Sequence, residues 1–167
     1  EREITNISKK KLIAQMSVRH VNESDTIILD VSSTAWYMAK ILPNIPLTVV
    51  TNSLKVAAIL SEKDQITMIC TGGTLVNKSL SFVGPLTIQA LDQYFVNKAF
   101  ISCKGLDLEH GFTESNEQQA LVKRKMLERS RQTFLMLDNS KIAVQAFAKV
   151  AHLQAADYLI INQPLDK

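Results

Sequence analysis

Apolar positions along the chain fall into alternating helix-like and strand-like stretches. Ile4, Ile7, Ile13 and Met16 recur at roughly helical spacing and predict a helix over 3–20. The run 26–31 is apolar and rich in β-branched residues, broken only by Asp30, like strands buried on both faces of a parallel sheet. Ser32, Ser33 and Thr34 follow. Ala35, Trp36, Ala39 and Leu42 then return at helical spacing until Pro43 stops the helix. The unit repeats: 47–51 predicts a strand, Asn52 and Ser53 a helix N-cap, and 54–60 a helix. A third strand over 66–70 ends in Thr71-Gly72-Gly73, and 85–95 predicts a helix with Pro85 in its first turn. Further strands are predicted over 98–103, 133–138 and 158–162, with the longest helix over 116–131. The stretch 104–115 reads as the longest loop.

This alternation argues for an α/β fold with a mainly parallel, twisted sheet flanked by helices. The 167 residues suit one domain, 1–167, and 46% hydrophobic with 21% charged residues excludes a disordered chain. Apolar runs are strand-sized, well below the roughly 20 residues that span a bilayer, so no membrane partner is expected. The net charge of +3 is well mixed. The clusters Lys9-Lys10-Lys11 and Lys123-Arg124-Lys125 therefore read as solvated helix faces rather than a nucleic-acid stripe. Cys70 and Cys103 make neither a disulfide framework nor a metal site, and a reduced, cytoplasmic chain without a cofactor is expected. The chain opens on Glu1 without a methionine, which suggests a domain cut from a longer protein.

Polar chemistry gathers just past the strands. Asp30, Ser32, Ser33 and Thr34 follow the first, Thr51, Asn52 and Ser53 the second, and Gly72 and Gly73 the third. Ser102, Lys104, Gly105 and Asp107 follow the fourth, and Asp138, Asn139, Ser140 and Lys141 the fifth. In a parallel sheet these ends share one edge, where hydroxyls, helix N-termini and lysines make an anion site for a phosphate or phosphorylated polyol. Taken singly, each group has a plainer use: Ser, Thr and Asn cap helices, and Gly72-Gly73 makes a turn. Neither GxxxxGK[ST] nor GxGxxG occurs, so the usual nucleotide signatures fail. His110 lies in the long loop, and Cys103 lacks a base that would make it a nucleophile. Trp36 reads as core or as a subunit contact. A solvated face is the default for this helix, but Lys123 lies in part on its Ala120/Met126 side and is kept as a candidate ligand residue pointing toward the site.

The ordered set of segments resembles the C-terminal effector-sensing domain of DeoR-family transcriptional regulators. Ile28-Leu29-Asp30-Val31-Ser32-Ser33-Thr34 is similar to the family's aspartate-led Gly-Thr-Thr loop, and Thr48 to Leu54 to its second strand and cap. Gly72-Gly73 with Gly84-Pro85, the stretch from Lys98 through Gly105, Asp107 and Gly111-Phe112-Thr113, Lys123-Arg124-Lys125-Met126, and Leu137-Asp138-Asn139-Ser140-Lys141 complete it. The resemblance implies a fold like ribose-5-phosphate isomerase and a phosphorylated sugar as effector. It implies operator binding, typically by a repressor, through an N-terminal winged helix-turn-helix domain absent from this chain. It also implies self-association as a dimer or tetramer. On it, Ser32, Ser33, Thr34 and Lys141 are expected at the phosphate or hydroxyls, and Asp30 and Asp107 at sugar hydroxyls. Four positions depart from the family pattern. Ser32-Ser33 replaces Gly-Thr, Gln119 replaces an acidic residue, and Lys104 is an extra cation. Two other readings use the same scaffold: an isomerase with Glu114, Glu117 or Asp107 as base, and an oligomerisation domain with a vestigial site.

Overall fold

A computed structural model of the chain describes residues 2–163, with side chains from residue 6 onward. Ile4, one of the residues that mark the first helix, thus lies outside the described side chains. The elements in chain order are α1 (Arg2–Val18), β1 (Thr26–Leu29), α2 (Ser33–Ile41), β2 (Leu47–Thr51), α3 (Leu54–Leu60) and β3 (Ile66–Cys70). Then come β4 (Thr74–Val76), β5 (Ser81–Val83), α4 (Pro85–Leu91), β6 (Val96–Ile101), β7 (Gly105–Asp107) and β8 (Gly111–Glu114). The chain continues with α5 (Glu117–Glu128), β9 (Ser130–Leu137), β10 (Ala148–Ala151) and β11 (Tyr158–Ile161). Short side chains start the helices: Ser32 Oγ accepts from Ala35 N, Ser53 Oγ from Val56 N, and Asn116 Oδ1 from Gln119 N, each at 3.1 Å.

The main sheet runs β11-β9-β6-β1-β2-β3, and every neighbouring pair is parallel. Strands β1, β2 and β3 build outward to one side, and β6, β9 and β11 to the other. The order therefore reverses between β1 and β6, and the crevice beyond their carboxyl ends is where open α/β sheets bind ligands. Side chains alternate across the sheet. Ile27, Leu29, Val49, Phe100, Phe134 and Met136 face one core with Ile13, Met38 and Leu60 of the helices α1 to α3. Ile28, Val50, Ala99, Ile101, Leu135 and Leu137 face the other with Leu91 and Met126.

Two small antiparallel sheets escape the sequence pattern. The stretch 104–115, expected as a loop, is a hairpin: β7 and β8 pair Gly105 with Thr113 and Asp107 with Gly111. β10 extends it to three strands, and all four residues of β8 are buried. β4 and β5 form the other hairpin. Strands of three or four residues with mixed polarity carry no detectable alternation. Gly111 (φ 73°) makes the hairpin turn where a Cβ would lie 2.1 Å from the Ala151 carbonyl oxygen. The helix expected to run to 131 ends at Glu128, because Ser130 already pairs with Val96 of β6. Arg131, expected on that helix, is therefore a strand residue. The helix expected over 85–95 likewise ends at Leu91.

Phe100 is fully buried and stacks on Phe134 at 4.8 Å between centroids, with Tyr158 continuing the stack. Phe100→Ala should lower the unfolding free energy by about 3–5 kcal/mol, read from denaturant titration with an unchanged m-value.

Candidate functional site

Asp30 and Ser102 stand just past β1 and β6, on either side of the reversal. Asp30 is 1% exposed, and both of its oxygens are engaged. Oδ1 accepts from Ser32 N (3.0 Å) and Ser32 Oγ (2.6 Å), and Oδ2 from Ser102 N (2.7 Å). The carboxylate thus pins the α2 entry loop to the end of β6. Asp138 repeats the device past β9, with Oδ1 accepting from Ser140 N (2.9 Å) and Ser140 Oγ.

Beneath them lies Lys123, 4% exposed, reaching in from α5. Its Nζ donates to Ser102 O (2.7 Å) and Glu114 Oε2 (2.5 Å), and lies 3.4 Å from Asp30 Oδ2. Two protons are thus bonded to protein oxygens, and the Asp30 carboxylate adds an ion pair. Burial works to lower the lysine's pKa, but Asp30 and Glu114 outweigh it and hold it above the ordinary value of 10.5. Its share of stability is complete at neutral pH and is lost only as pH rises through that raised value. Neighbouring Cys103 is pushed up to about 11, chiefly by burial, and stays a thiol at neutral pH.

Above this floor opens a cleft of about 460 Å³. Ser32, Ser33 and Thr34 line it at the start of α2, and Lys10, Lys78, Lys104, Lys123 and Lys141 against two carboxylates, Glu114 and Asp138. Glu114 is held by Lys123 and Asp138 by Ser140, which leaves an excess of cations. Lys10 donates from α1 to Ser33 Oγ at 3.2 Å. Partial burial, then repulsion from Lys141 and Lys104 against attraction from Asp138, brings Lys10 below the usual lysine value. Among the described residues no group of His, Cys, Asp and Glu could hold a metal ion.

The family model of the DeoR C-terminal sensor domain matches residues 5–163. The chain belongs to that family. It is 55% identical, over 99% of its length, to an uncharacterized HTH-type transcriptional regulator, YulB, of Bacillus subtilis. It is 40% identical over 94% of its length to the L-fucose operon activator of Haemophilus influenzae, and 34% over 93% to the transcriptional repressor GlcR of Bacillus subtilis. It spans 64%, 61% and 60% of the length of these three relatives. Among solved structures, ribose 5-phosphate isomerase A of Methanocaldococcus jannaschii superposes with a TM-score of 0.61 at 16% identity, over 83% of this chain and 55% of that one. At that identity the likeness is one of fold, as the DeoR resemblance implies.

Within this sensor domain the residues expected at a site separate into groups. Ser32, Ser33, Thr34, Lys104, Lys123 and Lys141 meet in the cleft, with Asp30 bracing them from below. Thr51, Asn52 and Ser53 are buried away from its lining. Thr51 Oγ1 accepts from Ser53 N, Ser53 caps α3, and Asn52 Nδ2 holds the Phe82 carbonyl of β5. Gly72 and Gly73 are also off the cleft and turn β3 into β4. A Cβ on Gly73 would lie 2.1 Å from Thr87 Oγ1. Gly105 is a hairpin strand residue packed under Val144. Asp107 pairs with His110 (3.2 Å) on a different, more apolar cavity of about 620 Å³ that Leu106, Ile142 and Leu159 line. A backbone hydrogen bond from His110 holds the Asp107 carboxyl below its usual value. Trp36 packs against the first core under the ammonium groups of Lys40 and Lys55.

Lys10, Lys78, Ser79 and Gln119 also line the cleft and were missed as site residues. Lys10 reads as part of a solvated helix face until α1 is placed beside α2. Gln119 carried one signal, its place as an uncharged residue where the family has an acid.

Lys123→Met should cost about 3–5 kcal/mol in chemical denaturation, because it strands Glu114 and Asp30 without their counter-charge. Adding Glu114→Gln should restore part of the loss.

Proposed function

We propose that this chain is the effector-sensing domain of a DeoR-type transcriptional regulator of sugar metabolism. In this reading its cleft binds a phosphorylated sugar or polyol. The observation that carries the reading is the cluster of lysines at the α2 N-terminus that have no salt-bridge partner among the described residues, above a carboxylate floor that is already engaged. Lys10, Lys104 and Lys141 repel one another in the free protein, so an anion bridging them relieves that cost. A phosphate monoester is largely dianionic at neutral pH and accepts from lysines, hydroxyls and N-terminal amides alike. A cleft of about 460 Å³ suits a small phosphorylated ligand.

An isomerase reading finds less support. Such chemistry needs a carboxylate free to take a proton. Glu114 is committed to Lys123, Glu117 lines a separate cavity beside Arg124, and Asp107 faces the apolar one. In the whole regulator we place operator binding in a domain preceding this one, and self-association in this domain as a dimer or tetramer. We take the repressor sign, with the effector releasing the operator. The relatives named an activator and a repressor fit the same physics, because effector binding need only favour one arrangement over another.

Inorganic phosphate and a panel of pentose, hexose and polyol phosphates test the site by thermal denaturation of the 167-residue chain. A ligand at a hundred times its dissociation constant adds about 2.7 kcal/mol, a rise of roughly 5–10 °C in Tm for this size. A panel that leaves Tm unmoved refutes the phosphate reading.

Lys10→Met separates binding from folding. The folded protein disfavours the charged lysine, so removing it should hold or slightly raise the ligand-free Tm at pH 7 while cutting the phosphate-induced shift by at least half. The wild-type penalty should fade as pH climbs toward the lysine range. A loss of ligand-free stability with an intact phosphate response counts against this assignment.

A further inference from the structure

Gln119 lies in the first turn of α5 and is 9% exposed. Its backbone N–H is satisfied by the Asn116 cap. Its side-chain Nε2 donates to Ser81 Oγ at 2.8 Å, and Ser81 is fully buried. Its Oε1 is buried and has no hydrogen-bond partner among the described residues. A buried amide oxygen left without a donor is destabilising, and a methionine of similar shape would avoid that cost. Asn52 Oδ1 is the other such atom among the described residues, but it lies off the cleft; the place of Gln119 in the cleft wall is what points to a donor from outside the chain.

The neighbouring protons indicate what that donor belongs to. Ser81 Oγ receives the Gln119 proton and lies 2.6 Å from Ser79 Oγ. Ser81 is fully buried and Ser79 is the one acceptor its hydroxyl has among the described residues, so Ser81 gives its proton to Ser79 and Ser79 keeps one to donate. Gln119 and Ser79 both line the cleft. This wall thus offers an unpaired acceptor and a free donor, fixed by one chain of hydrogen bonds. A hydroxyl, which donates and accepts at once, satisfies both. A dianionic phosphate oxygen cannot donate to Oε1, and an ammonium cannot accept from Ser79. The wall also belongs to α5 and the β4–β5 hairpin, whereas Lys10 and Ser33 belong to the α1–α2 layer. Lys78, on the same turn as Ser79, is exposed at the rim.

We infer that Gln119, oriented by Ser81 and assisted by Ser79, is a specificity-determining residue that reads one neutral hydroxyl of the effector. The inference rests on the effector reading above and adds the polarity of the site: charge is held by the lysines, and hydroxyl identity is read at Gln119.

The test compares wild type, Gln119→Met and Ser79→Ala by calorimetric titration. The probes are inorganic phosphate, the best-binding sugar phosphate of the panel, and its monodeoxy analogues. Inorganic phosphate should bind all three proteins within two-fold. The sugar phosphate should bind Gln119→Met about ten-fold more weakly and Ser79→Ala several-fold more weakly. One deoxy analogue should bind wild type about ten-fold more weakly than its parent, yet bind Gln119→Met as well as the parent does. If parent and analogues keep wild-type ranking and affinity in Gln119→Met, the inference fails while the effector reading stands. If neither phosphate nor any sugar phosphate binds wild type, both fail. Should Gln119→Met unfold, Ser79→Ala decides by the same comparison, since Ser79 is at the surface.

Discussion

The ammonium of Lys123 has to be neutralised inside the protein, and much of the domain is arranged around that need. Taking a charge out of water costs several kcal/mol, and only oxygens in good geometry offset it. Here they come from the ends of β1, β6 and β8, on a lysine supplied by α5. One ion cluster therefore ties the strand-order reversal of the main sheet to the small sheet and to the helix above both. It also fixes what remains for a ligand. With Lys123, Glu114 and Asp30 occupied by one another, the cations left at the cleft are the peripheral ones, Lys10, Lys78, Lys104 and Lys141.

Much of this architecture was legible in the sequence, and the exceptions have physical causes. The main-sheet strands are continuous β-branched or apolar runs, a signal that burial on both faces enforces, and all six were found within a few residues. The hairpin strands β4, β5, β7 and β8 are too short to show a period. Their pairing depends on partners the sequence does not mark. The polar strand ends were located correctly as a group, but their division was hidden. Asp30, Thr51 and Ser53 all lie at or just past a strand end, and each carries a side chain that bonds the backbone two or three residues on. That local bond is identical whether the loop faces a ligand or the core. Only the neighbouring element decides: α1 and its Lys10 beside Ser33 in one case, β5 over Asn52 in the other. Lys123 was the converse error of emphasis. A lysine within a basic run looks solvated until the helix is docked and its carboxylates appear from two other strands.

Fold likeness and chemistry also part company here. The isomerase scaffold is shared at 16% identity, which transfers the sheet and its reversal point but no reacting group. An acid–base enzyme keeps a carboxylate mobile and near the operating pH. This cleft does the opposite, spending its buried carboxylates on rigid bracing and leaving an unpaired amide oxygen in the wall. Rigid bracing suits a sensor. Its task is to hold one ligand long enough to favour one arrangement of the chain, and turnover would work against that.

The sign of such a response does not have to reside in the cleft. Effector binding contributes only the difference between its affinities for two arrangements of the whole molecule. In the reading proposed above, whether the favoured arrangement grips or releases an operator would be set where the sensor meets the DNA-binding part of the regulator. That separation explains how relatives sharing this domain at 40% and 34% identity can be named for activation and for repression. The elements free to transmit the choice are those the ion cluster does not lock. α1 fits that part, because among its described side chains it is Lys10 that reaches the cleft. An anion drawn against Lys10 would pull on this helix while Lys123 keeps the floor still.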